Sequence, residues 1–89
     1  MDLSPRYELT QYRDSSKREI DFLIERDDSA ILGIEVKSGN SDSSDFKHLK
    51  WFAANMAKGA FTGIVLYSGA EVLPFGDNLF AVPLSALAS

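Results

Sequence analysis

Charged side chains set inside two runs that otherwise demand burial constrain this chain most. Asp21 lies within Ile20-Asp21-Phe22-Leu23-Ile24, and fourteen positions later Glu35 and Lys37 lie within Ile31-Leu32-Gly33-Ile34-Glu35-Val36-Lys37. Both runs have the apolar, β-branched character of strands, and the polar Asp27-Asp28-Ser29 between them reads as a hairpin turn. A charge carried into a buried strand costs desolvation free energy, which a divalent cation or an ion pair offsets. Any fold for this chain must bring these charges to partners.

Loop length decides which of them meet, because side chains in paired antiparallel strands alternate between faces. A three-residue loop sets Asp21 across from Glu35 and Glu19 across from Lys37, all on one face. A two-residue loop sets Asp21 against Ile34 and sends the acids to opposite faces, so the motif predicts an odd loop. Two carboxylates ~5 Å apart at Cβ repel unless a proton or a cation lies between them. Mg²⁺ or Mn²⁺ held by Asp21, Glu35 and the Val36 carbonyl, with waters completing an octahedron, meets that need. Lys37 would then hold or help deprotonate an attacking water, or neutralise charge developing on a phosphate. The same residues also read as an ion pair and a hydrogen-bonded acid on a solvated sheet face, with Glu19 and Lys37 as a cross-strand salt bridge.

Around this hairpin the pattern predicts a strand over Tyr7–Tyr12, strands over about Arg18–Arg26 and Ala30–Lys37, and a polar loop from Ser38 to Ser44. Phe46, Leu49, Phe52, Ala53 and Met56 recur at helical spacing, with Lys58-Gly59 as the helix end. Phe61–Tyr67 reads as a buried strand, and Val72–Phe75 and Leu79–Val82 flank a Gly76-Asp77-Asn78 turn, with Pro74 confining the former to a sheet edge. Pro83–Leu87 opens a terminal helix. Lys47, Lys50 and Lys58 read as a solvated helix face able to meet phosphates, His48 as a surface residue, and Trp51 and Phe52 as packing residues.

Eighty-nine residues make a single domain, residues 1–89, able to bury only about 60–65% of its unfolded surface. The longest uncharged apolar stretch, Ala60 to Ala70, is too short for a membrane span, and Met1-Asp2-Leu3-Ser4-Pro5 lacks a signal-peptide pattern. The absence of cysteine removes disulfides and thiolate sites and fits a cytoplasmic location. A net charge of −4 weighs against strong nonspecific nucleic-acid binding, yet suits an acidic metal site.

Asp21, Glu35-Val36-Lys37, and the helix and buried strand after them resemble the PD-(D/E)XK nuclease superfamily. More narrowly, the phrases Tyr12–Phe22, Ile34–Gly39, Gly63–Tyr67, Leu73–Asp77 and Val82–Leu84 are similar to the C-terminal domain of unknown function found in predicted prokaryotic AAA-type ATPases. The resemblance implies an α/β fold with a restriction-endonuclease-like mixed sheet, a βββαβ core plus a C-terminal strand pair, lacking the usual first helix. It implies Mg²⁺- or Mn²⁺-dependent hydrolysis of DNA with Asp21, Glu35 and Lys37 as catalytic residues, or a catalytically silent docking or oligomerisation module of an ATPase. No Gly-x-x-x-x-Gly-Lys-Ser/Thr phosphate loop is present, so an ATPase domain would belong to a longer relative. A sheet face without its first helix should expose apolar surface, which favours a homodimer.

Overall fold

The computed structural model describes residues 6–87; the Met1–Pro5 segment read above lies outside the described residues. The hairpin of the two charged runs forms with the odd loop. Strand β2 (Glu19–Arg26) pairs antiparallel with β3 (Ile31–Val36), Phe22 opposite Ile34 and Glu25 opposite Ile31. The Arg26 N–H donates to the Ala30 carbonyl at 2.8 Å, and Ser29 adopts φ 71°. Three-residue hairpin loops commonly place such a left-handed residue at their third position. Asp28 fastens the loop by accepting from the Arg26 guanidinium at 2.6 and 2.9 Å and from the Ala30 N–H at 3.1 Å.

Strand β1 (Tyr7–Arg13) flanks β2 on its other side, and there the register shifts. Thr10 faces Leu23, but Tyr12 faces Ile20, so β2 spends one more residue than β1 over the same span. The extra residue is a β-bulge at Asp21–Phe22. Ile20 and Leu23, which a regular strand would send to opposite faces, both enter the core.

Beyond β3 a capping box starts the helical segment: Asp42 accepts from the Ser44 N–H at 2.9 Å while Asp45 accepts from the Asp42 N–H at 2.7 Å. A 3-10 turn, Ser43–Phe46, runs into α1 (Lys47–Asn55). Helix α1 carries the chain to β4 (Phe61–Tyr67), parallel to β3, a connection that parallel neighbours require. Strands β5 (Leu73–Gly76) and β6 (Leu79–Pro83) follow, and the sheet order is β1-β2-β3-β4-β6-β5. The architecture is thus mixed α/β, a six-stranded sheet with one α-helix among the described residues. Pro74 sits on the edge strand β5, where a missing ladder donor is tolerated.

Leu49, fully buried, seats α1 on the sheet. Beneath it Gly33 and Gly63 face each other across β3 and β4. A Cβ at Gly33 would lie 2.8 Å from Leu49 Cδ2, and one at Gly63 2.7 Å from Leu79 Cδ2 and 3.3 Å from Leu49 Cβ. Phe46, stacked on Phe75 at 4.9 Å, and Phe52, edge-on to Tyr12 at 5.3 Å, extend the same core.

Three local expectations are corrected. The helix ends at Asn55, short of Lys58-Gly59, because the Met56 and Ala57 N–H groups both donate to the Phe52 carbonyl at 2.8 and 3.0 Å. Gly59 serves close approach instead, since a Cβ there would lie 2.8 Å from the Ser29 carbonyl oxygen. Ala53 and Met56 are exposed, because α1 buries only the narrow stripe of Leu49 and Phe52. The terminal helix shrinks to a 3-10 turn, Leu84–Leu87, and Pro83 closes β6.

Gly63→Val forces branched atoms into the Leu49 seat and should destabilise the domain by about 2–3 kcal/mol. The urea midpoint should fall at unchanged m-value.

Candidate functional site

Alternation along β3 places Glu35 on the same face as Gly33, under α1. Helical spacing does the rest: Asp45 and His48 precede Leu49 and Phe52 on one stripe, so seating Leu49 brings both over Glu35. The Glu35 side chain keeps 20% of its exposure. Burial, then the nearby charges of Asp21, Asp45 and Glu19, push its carboxyl up to about 7. His48 Nδ1 stands 3.9 Å from Glu35 Oε1, and lies 3.1 Å from the Glu19 carbonyl and 3.3 Å from its N–H.

Lys37 follows β3, its N–H donating to the Leu66 carbonyl at 2.8 Å. Its ammonium donates to Asp45 Oδ1 at 2.6 Å, which raises its proton affinity against the smaller effect of burial. Burial pushes the Asp45 carboxyl up, but the hydrogen bonds from Lys37 and from the Asp42 N–H outweigh it and hold Asp45 low. Asp45 therefore ties the end of β3 to the start of the helix. Glu35, Val36, Lys37, Asp45 and Val65 line a shallow cleft of about 300 Å³.

Asp21 lies beyond Val36. It lines a separate cleft of about 190 Å³ with Arg13, Glu19 and Phe22, and its Oδ2 accepts from the Val36 N–H at 2.8 Å. In an unbulged ladder the Ile20 carbonyl would take that N–H; the bulge substitutes a carboxylate. Asp21 and Glu35 are thus coupled by charge across Val36, and the ordered β2–β3 register stops at Phe22 opposite Ile34.

The Glu19–Lys37 pairing expected from the sequence does not form. The bulge displaces the start of β2, so Glu19 stands 4.0 Å from Arg13 and beside His48, while Lys37 turns to Asp45. His48, read as a surface residue, is half-buried between Glu19 and Glu35 because it shares the helix stripe with Leu49. Asp45 was missed, although its spacing from Asp42 is that of a capping box. Trp51 packs beside Tyr12 with the Arg18 guanidinium 4.1 Å above its ring.

Among the described residues no three His, Cys, Asp or Glu side chains gather into a ready metal cage. Asp21 and Glu35, the two acids expected from the sequence to share a cation, line different clefts on either side of Val36. Over residues 2–87 the chain matches the family described as Domain of unknown function (DUF4143). It belongs to that family. No curated protein and no solved structure matches it.

The DUF4143 domain carries Glu35 at a cost that depends on pH. An unfolded Glu releases its proton near 4.5 and the folded one near 7, so the contribution of Glu35 to stability is most favourable below about 4.5 and declines as pH rises to about 7. Glu35→Gln should exceed the parent in stability by on the order of 2–3 kcal/mol at pH 8 and match it near pH 4, by urea unfolding at both values. Asp21→Asn keeps an acceptor for the Val36 N–H while removing a charge, so the Glu35 carboxyl should titrate below 7 in carbon-detected NMR. Asp21→Ala should be about 1 kcal/mol less stable than Asp21→Asn through loss of that acceptor.

Proposed function

We propose that this domain is a metal-dependent phosphodiesterase module with a restriction-endonuclease-like arrangement, acting on DNA and appended in longer relatives to an AAA-type ATPase. The observation that carries the reading is Glu35, an acid raised to about 7 by burial and three other acids, beside a lysine held as its ammonium. Such a perturbed acid marks a place suited to a cation. The element order, three strands, a helix and a fourth strand, then a strand pair, agrees with the resemblance drawn from the sequence.

Asp21 and Glu35 would hold Mg²⁺ or Mn²⁺, with the Val36 carbonyl between them as a third ligand. The cation would supply Lewis-acid polarisation and a hydroxide at neutral pH. Lys37, kept protonated by Asp45, orients water and neutralises charge on the phosphate; the alternative of Lys37 as a base is the weaker one, because its proton is held. Lys47 and Lys50 on α1 supply cations for a duplex that the net charge of −4 would otherwise repel.

A second reading, a catalytically silent docking module of an ATPase, is favoured by the employment of Lys37 and Asp21 in structural bonds at 2.6 and 2.8 Å. Metal titration separates the two. Millimolar Mg²⁺ or Mn²⁺ should raise the melting temperature of the parent at pH 8 but not that of Glu35→Gln, and should support nicking of supercoiled DNA. Lys37→Ala should slow that nicking about 100-fold or more. Neither a thermal response nor cleavage would leave the docking reading standing.

A further inference from the structure

Helix α1 and the 3-10 turn before it cover one face of the sheet; the other face has no α-helix against it among the described residues. Its central row runs Phe22, Ile34, Ile64, Phe80 across β2, β3, β4 and β6, each opposite the next. Leu32 and Leu66 anchor the rows on either side. Exposure is high toward the margins of the face, 41% for Phe22 in this row, 49% for Val36 and 65% for Leu9 in the rows beside it. An apolar surface of this continuity is uncommon on a monomer.

We propose that this face is the interface between two copies of the chain, stacked sheet on sheet about a two-fold axis. Charge favours a second copy as the occupant. On the open face, charged residues gather toward the ends of the β1–β2 pair, where Arg13 lies 4.0 Å from Glu19 with Asp21 lining the same cleft, and where Arg26 is bonded to Asp28. Each end carries both signs, so copies meet without like-charge opposition. Glu35 and Asp45 lie on the helix-bearing side, so a chain of net charge −4 can approach itself through the neutral face. A nucleic acid would find there only two arginines, each beside an acid.

Area agrees. Six strands at ~4.8 Å and three rows at ~6.8 Å give a footprint of roughly 600 Å² in projection, which side-chain relief enlarges. A standard interface takes ~800 Å² per partner, a size that nearly the whole face would supply and a fragment of it would not. Packed sheets stand ~10 Å apart with strands within about 30° of parallel. The stacking leaves both helix-bearing faces outward; it does not rest on the catalytic reading, although Asp21 and Val36 border both surfaces.

Sedimentation equilibrium of the full chain tests the proposal. The expected result is a species of twice the 9.8 kDa chain mass at micromolar concentration. Phe22→Lys combined with Val36→Lys should weaken the dimer at least 100-fold with an unchanged far-ultraviolet spectrum, while Met56→Lys, on the helix side, should leave it intact. A measurement needing no variant accompanies these. A soluble paramagnetic probe should broaden the Ile34 and Ile64 methyl resonances less as protein concentration rises. A monomer up to millimolar concentration overturns the proposal, whether or not it binds detergent or an apolar peptide. So does a dimer that Met56→Lys disrupts and the double variant does not, or methyl broadening that is independent of concentration.

Discussion

The contact on which the rest depends is Leu49 against the paired glycines of β3 and β4. A Leu fully withdrawn from water contributes about 1.5–3 kcal/mol, and here it also fixes the rotation of the only α-helix among the described residues. With Leu49 pointed at Gly33 and Gly63, the positions four residues and one residue earlier on the same stripe have no choice of direction. Asp45 and His48 are delivered over the end of β3, and Phe52 over the aromatic cluster of Tyr12 and Phe61. In a domain this small, one packing decision thereby sets both the core and the polar cluster above it.

That cluster is organised by competition for charge. Lys37 meets Asp45, and the two settle into a short ion pair. Glu35 is left with burial and other acids, and keeps its proton into the neutral range. Once ionised, Glu35 therefore opposes folding.

Much of this was legible in the sequence. Asp27-Asp28-Ser29 set an odd hairpin loop, and the β-branched Phe61–Tyr67 run and Pro74 gave a buried strand and an edge strand as found. Period-two reasoning failed at Asp21, because it presumes an uninterrupted ladder and nothing in Ile20-Asp21-Phe22 announces an extra residue. The Glu19–Lys37 pairing fell with it. Asp45 could have been found from its capping-box spacing, but its meeting with Lys37 depends on the helix rotation that Leu49 sets. The early helix end escaped notice because shared donation to the Phe52 carbonyl leaves no residue signature, whereas Gly59 offered a misleading one.

The bulge carries a consequence for how such a chain can vary. On its C-terminal side β2 is read in one phase, with Leu23 inward; on its N-terminal side it is read in the other, with Ile20 inward and the Glu19 side chain outward beside Arg13. Removing one residue between them would restore a regular ladder and exchange those assignments, sending Ile20 into water and Glu19 toward the core. Length at this point is therefore as constrained as identity. Relatives should tolerate insertions in the turns at either end of β2 far better than a single gain or loss within Asp21–Phe22.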